Sequence, residues 1–314
     1  MDYNKSKYTT MPENSYFDRR MANGDELSDI FDHVNKYGHP FSDKGCPILV
    51  QVGKLYNYVL NNFILFDSWF VIANEFGSAK WSYAYRRLNE KGIREGGVLF
   101  RLDGFYITRE EFLDIWSYDA QYEEKVVVRQ YNGLFNIINI NNGTKIDNTG
   151  INVDYIDSCH PTSSFYRVAK GGELTRNEED MMWSAIHGEE IARKNNIKCN
   201  LYHIEKGYIS PSLWFDFVDS FIYVPIPYSR NRSLCNHTIV HLNGKKNLMD
   251  QNGHLLSDKW FDVCHLHYDG TGDAGILKSE SLKSLPSEIG DNYDYNPQKF
   301  YLYEIDRNGM IKPV

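Results

Sequence analysis

The sequence predicts a mainly β protein: antiparallel β-hairpin or meander repeats in a propeller-like or solenoid-like array, with helical insertions. Two observations predict it: Asn-Gly pairs recur between β-type residues, and a Trp-Phe pair recurs at a fixed distance behind a turn residue. The composition, 42% hydrophobic and 24% charged, is that of an ordinary globular chain and argues against wholesale disorder.

Asn-Gly is the strongest short-range hairpin signal, because a two-residue turn needs positive φ at both central residues. After residue 125 the pair occurs at Asn132-Gly133, Asn142-Gly143, Asn243-Gly244, Asn252-Gly253 and Asn308-Gly309. KVVVRQY-NG-LFNIINI and HTIVHL-NG-KKNLM read as strand, turn, strand. Two-residue turns with positive φ at all four residues are expected at Asn132-Gly133 and Asn243-Gly244.

The meanders read as copies of one another. Aligning turn glycines sets GKLYNYV (53–59) beside GLFNII (133–138) and GKKNLM (244–249), each with Asn three or four places after Gly. NLYHI (200–204) supplies the same strand without its turn. A second alignment joins NFILFDSWF (62–70), GYISPSLWFD (207–216) and GHLLSDKWFD (253–262). Trp69, Trp214 and Trp260 each stand seven residues beyond the turn residue, followed by Phe70, Phe215 and Phe261. These pairs are read as the structural anchors of the repeats, with the indoles largely buried. Asn200 and Asn247 are 47 residues apart, near the period of a propeller blade or comparable β array.

Residues 1–45 are read as a polar N-terminal leader, and 46–314 as one β-repeat domain. Helical insertions are expected near 78–90, 108–118 and 175–196. The second and third open with the capping-box pattern, Thr108 to Glu111 and Thr175 to Glu178. In the third, Met182, Ala185 and Ile186 are spaced along one face. FYLYEIDRNGMIKPV reads as half a repeat closing the array.

GKKNLMDQNGHLLSDKWFDVC (244–264) resembles the WG-type (KWG-like) repeat of bacteria, with a Gly-Lys opening, a second turn and an aromatic-Asp close. The likeness is partial near 53–70, 133–143 and 198–216, and Asn stands where the family has its second glycine. The resemblance implies a divergent β-repeat scaffold that binds other macromolecules, and it brings no catalytic residue.

Net charge is −8 with no basic stripe, which argues against duplex nucleic acid or an anionic bilayer as the partner. The five cysteines include no Cys-x-x-Cys pair, so structural free thiols in a reducing compartment are expected. No apolar signal segment and no run of eighteen apolar residues is visible, so the expected location is cytoplasmic, with no membrane partner. No cofactor and no catalytic residue is expected, since nucleotide, zinc-protease and serine-elbow motifs are missing.

Candidate binding residues are His265 and His267, two imidazoles on one strand face, with Asp269 and Asp273 behind them. DGTGDAGILKSE (269–280) imitates a calcium loop but carries Ala274 at the obligatory glycine, so no metal is expected. Cys159-His160 is weighed as a nucleophile, and His187 with Glu190 as helix-face ligands; turn and solvated surface are the preferred readings. The leading function is a non-enzymatic binding or scaffolding protein with a protein partner. The alternatives are a virion or other assembly component, and a carbohydrate-binding module or hydrolase.

Overall fold

The computed structural model describes residues 33–34 and 48–314 except 61–62, 67, 74–80, 102–103, 117–123, 159–163, 185–186, 226–231 and 290–293. The chain divides into two compact units, Met1–Asn152 and Val153–Val314, and both are built mainly from small antiparallel sheets. Among the described residues no helix is long and apolar enough to cross a membrane.

Among the described residues the first unit holds three sheets. β1 (His33–Val34), β2 (Ile48–Val52), β3 (Leu55–Leu60) and β4 (Phe63–Ile64) pair in that order. β5 (Ile72–Ala73), β6 (Trp81–Leu88) and β7 (Arg94–Arg101) form the second sheet. β8 (Asp114–Trp116), β9 (Lys125–Arg129) and β10 (Phe135–Asn139) form the third.

Each long strand of the middle sheet is buried on both faces. Ala84, Val98 and Phe100 join Tyr58 of the first sheet, and Phe66 and Phe70 of the run that follows it, in one apolar cluster. Trp81, Tyr85 and Leu99, of opposite parity, join Phe112, Ile115, Val126, Val128 and Ile138 in another. Alternation sends successive side chains to opposite faces, so one strand serves two cores.

This corrects two helical expectations. Trp81, Ala84 and Tyr85 have helical spacing, but they lie on the part of β6, Trp81–Tyr85, whose two faces are both covered, so the period of three to four is accidental. In 108–118 Phe112 bridges Gly97, and Asp114–Trp116 pairs with β9. Thr108 there accepts the Glu110 N–H, as in a turn, and the Glu111 carboxylate goes to Arg87. Residues 78–80 and 117–118 of these segments lie outside the described residues.

Among its described residues the second unit also holds three principal sheets. β11 (Tyr155–Ser158), β12 (Phe165–Lys170), β13 (Lys198–His203) and β14 (Gly207–Tyr208) form the first, with helices α1 (Arg176–Met181) and α2 (Gly188–Lys194) inserted between β12 and β13. Thr175 and Glu178 close the capping box of α1. Ala185 and Ile186 lie outside the described residues. In the next stretch β15 (Phe217–Val218) leads to the hairpin β16 (Tyr223–Pro225) and β17 (Arg232–Leu234), then to β18 (His237–Leu242) and β19 (Lys245–Asp250). The sheet order is β15-β18-β19. Last come β20 (Val263–Leu266), β21 (Gly272–Leu277), the small hairpin β22 (Glu288–Ile289) and β23 (Asp294–Tyr295), and β24 (Phe300–Ile305) with β25 (Ile311–Pro313). The order of this sheet is β20-β21-β24-β25.

A shared hydrogen-bond plan recurs in both units. On the hairpin's second strand stands a fully buried Asn: Asn57 and Asn136 in the first unit, Asn200 and Asn247 in the second. Its Oδ1 accepts the next backbone N–H, at 2.8, 2.8, 2.8 and 2.7 Å. Its Nδ2 donates to a carbonyl of the following loop, at Phe66, Asp147, Ser210 or Ser257. The chain then returns to bridge the residue before that Asn, through Phe70, Ile151, Phe215 or Phe261. After Phe70, Phe215 and Phe261 it runs on as the first strand of the next sheet, β5, β15 or β20. The middle sheet of the first unit follows the plan with Val98 in place of Asn and Phe112 as its closing residue.

The anchors fall differently from expectation. Phe70, Phe215 and Phe261 are wholly buried, whereas Trp69, Trp214 and Trp260 are only half-buried. The phenylalanine makes the closing bridge, so it points into the seam. The preceding indole takes the other side of the strand: Trp214 packs on Tyr208 and under the Lys170 ammonium, and Trp260 packs against the cluster that holds Ile209 and Met249.

The turns are also more varied than expected. Asn243 and Gly244 both have positive φ, 52° and 72°, and join β18 to β19 directly. At 130–134 only Gly133 has positive φ. The Gly133 N–H donates to the Gln130 carbonyl, and Gln130 in turn donates to Leu134. This is a three-residue loop with a left-handed glycine, and Asn132 caps it by accepting the Leu134 N–H. The same form recurs at Gly253 and Gly309, where Asp250 and Asp306 cap the loop.

Candidate functional site

Of the four candidate residues at 265–273, three come together. His265 and Asp273 are cross-strand partners on β20 and β21. The His265 and His267 rings meet edge to face at 5.3 Å, and His267 Nε2 lies 2.8 Å from Asp273 Oδ2. Burial, and then the neighbouring His267, push His265 below the ordinary imidazole range. Asp269 faces elsewhere: it accepts the Thr271 hydroxyl and N–H and pairs with Arg307 at 3.2 Å. Those Thr271 bonds, with Arg307, hold its carboxyl below the usual range.

Residues 272–277 form a strand, so alternate side chains of the imitated calcium loop diverge. Among the described residues no group of three or more His, Cys, Asp or Glu is placed to hold a metal ion. Treatment with EDTA is expected to leave the melting temperature unchanged, since a structural metal would contribute strongly to folding. A fall of several degrees would reopen 265–280 as a metal site.

Cys159-His160 lies outside the described residues. Cys199, Cys235 and Cys264 are free and buried. Burial pushes the Cys199 and Cys264 thiols up to about 12, which makes them inert packing groups. His187 precedes α2 without capping it by its side chain. The helical residue that reaches into the fold is Glu189, whose Oε2 lies 3.0 Å from Nδ1 of the buried His241.

The most elaborate polar surface lies in the first unit. Arg86 and Arg87, adjacent on β6, both reach Glu111 in the return run, Arg86 through Nε at 3.4 Å and Arg87 through Nη1 at 2.9 Å. Arg86 also donates to the Tyr106 hydroxyl at 3.0 Å, and Arg87 to the Tyr131 hydroxyl at 2.6 Å. Tyr131, at the tip of the 130–134 loop, also accepts the Gly96 N–H at 3.0 Å. A Cβ at Gly96 would lie 2.9 Å from Arg87 Nη1, so glycine leaves the guanidinium its bed.

A second layer stiffens this surface. Tyr85 donates to Asp114 at 2.5 Å and accepts the Ile115 N–H at 3.0 Å, while Arg94 lies over its ring and pairs with Asp114. Burial, then Asp114, raise the Tyr85 phenol far above its ordinary value, so it remains a donor. Tyr106, Tyr131, Leu88, Ile93 and Phe105 are exposed, Phe105 at 70%. The network was not legible in the sequence because its members lie 20 to 44 residues apart and meet only through strand register.

No family model matches the sequence, and no curated protein matches it. Among solved structures the chain is similar to a computationally designed protein, Ika8, at 8% identity and a TM-score of 0.30, covering 86% of this chain and 80% of that one. It is similar to a eukaryotic initiation factor at 8% identity and a TM-score of 0.30, covering 86% and 74%. A third likeness is to the C-terminal WD40 domain of Sif2, at 12% identity and a TM-score of 0.27, covering 83% and 75%.

Proposed function

We propose that this chain is a non-enzymatic binding or scaffolding protein whose repeats are a divergent form of the WG type. Its partner is a protein that meets the Arg86–Arg87–Tyr106–Tyr131 surface of the first unit. The observation that carries the reading is that exposed Tyr131 is held by two hydrogen bonds, from Arg87 and from Gly96. Tyrosine and arginine are the residue types enriched at binding hot spots. Their side chains are already ordered here, so a partner would meet less entropic cost on docking. The positive charges are matched by Glu95, Glu111 and Asp114, which favours a specific contact over long-range attraction to a polyanion.

The test is copurification of the full chain from its native source, followed by titration of the recovered partner. Tyr131→Ala and Arg87→Ala are each expected to weaken that complex by about tenfold or more. A partner bound equally well by both variants would sink the assignment of this surface. A recovered nucleic acid or polysaccharide would sink the protein-binding reading itself.

A further inference from the structure

The helical insert of the second unit is joined to the neighbouring sheet at one titratable point. α2 arises in the hairpin between β12 and β13, yet it packs against the sheet β15-β18-β19. Met182, Ile191 and Ala192 share a cluster with Phe217, Val218 and Val240. Gly188 lies so close to Phe217 that a Cβ would stand 2.6 Å from its ring. Beside this contact His241 of β18 is nearly sealed from solvent, its side chain 5% exposed. Its Nε2 is hydrogen-bonded to Asp219 Oδ2 at 3.3 Å; its Nδ1 lies 3.0 Å from Glu189 Oε2 in a charge contact without hydrogen-bond alignment, and the Phe217 ring stands edge-on at 5.5 Å.

We propose that His241 is a proton-gated latch: charged and held between Asp219 and Glu189, it clamps α2 onto the sheet, and loss of its proton releases the Glu189 end of the helix.

The charged groups that face the imidazole are Asp219 beyond β15, Glu189 from α2 and Lys246 across from it on β19. Burial, the largest influence, and Lys246 both disfavour the imidazolium. The two carboxylates outweigh them, and the net displacement is upward from the ordinary histidine value. On the other side of the latch, His241 first, with Lys246 and Arg193 helping, outweighs burial and holds the Glu189 carboxyl below its ordinary range. A group whose folded pKa is raised contributes its full stability below the unfolded value of about 6.5 and loses it as pH rises through the folded value. The carboxylate contributes above about 4.5 and loses its share as pH falls through its own depressed value. The latch is therefore closed between these limits and opens toward alkaline pH. Neutral His241 no longer attracts two carboxylates, and the half-exposed Glu189 is the one free to turn to water.

The experiment is amide hydrogen exchange on the full chain at pH 6 and pH 9, corrected for the intrinsic pH dependence of exchange. Protection of residues 188–195 is expected to fall at least fivefold at pH 9, while that of 125–139 holds. In His241→Gln and Glu189→Gln the dependence should be lost. Glu189 lies at the surface of the packing, so its variant tests the latch even where the His241 variant folds poorly. Wild-type protection that does not change with pH, or a fall that persists undiminished in Glu189→Gln, overturns the proposal.

Discussion

Gly253→Ala is expected to destabilise the fold by about 3 kcal/mol or more, against about 1 kcal/mol for Gly244→Ala. Both glycines have positive φ, 88° and 72°, so an alanine at either is strained. Their surroundings separate them. Around Gly244 nothing lies within 4 Å of a Cβ, so the strain stands alone. At Gly253 a Cβ would be driven into the carbonyl oxygen of Ile209, in the return run of the preceding sheet. That oxygen is backbone, and Ile209 is itself tied to Leu201 by its N–H, so the obstacle cannot rotate away. The first unit repeats the arrangement: a Cβ at Gly143 would strike the Ile107 carbonyl. Loop glycines of this class thus set how closely adjacent sheets approach. Urea denaturation of the two variants checks the point, and equal midpoints would mean that the seam at Gly253 is looser than described.

That contrast bears on how much was legible beforehand. Asn-Gly announced the hairpins but not their form, because the pair serves two geometries. In one, both residues turn left-handed, as at Asn243-Gly244; in the other, only glycine does, while an Asx side chain caps the loop. What separates them is strand register, which a local pair of residues does not encode. The recurrent Asn was visible three or four places after the turn glycine, yet its task was not, since its acceptor carbonyl lies 9 to 11 residues further on.

The misread helices and indoles have a physical cause as well. A strand segment covered on both faces shows no alternation, so Trp81–Tyr85 carries only an accidental helical spacing. The Trp-Phe pairs marked the return run correctly, but a large aromatic residue signals burial without saying which of two neighbours points inward. Phe112 and Ile151 close runs that lack a Trp-Phe pair, so no local pattern marks them in the sequence. The Arg87–Tyr131 and His241–Glu189 contacts join separate modules, and no local spacing could have foretold them.

The buried asparagines admit the sharpest test. At Asn247 the side chain satisfies two backbone groups at once, accepting the Leu248 N–H at 2.7 Å and donating to the Ser257 carbonyl at 2.8 Å. Asn247→Ala strands both groups in a water-free seam, at about 1–3 kcal/mol each, and leaves a small void. The expected loss is about 3–4 kcal/mol. Asn247→Asp distinguishes this account from one of volume alone. The aspartate fills the same space and still accepts from Leu248, but it sets a carboxylate oxygen against the Ser257 carbonyl where a donor stood. At neutral pH this variant should be at least as damaged as the alanine one, because a buried charge has lost its partner. Desolvation would raise its folded pKa above the unfolded value of about 3.9. The folded state then binds the extra proton, so the deficit relative to wild type should shrink as pH falls toward about 4, where the protonated acid can donate to Ser257 again. Paired denaturation curves at pH 7 and pH 4 decide it: a deficit that does not narrow on acidification would mean that Asn247 fills space there and bridges nothing.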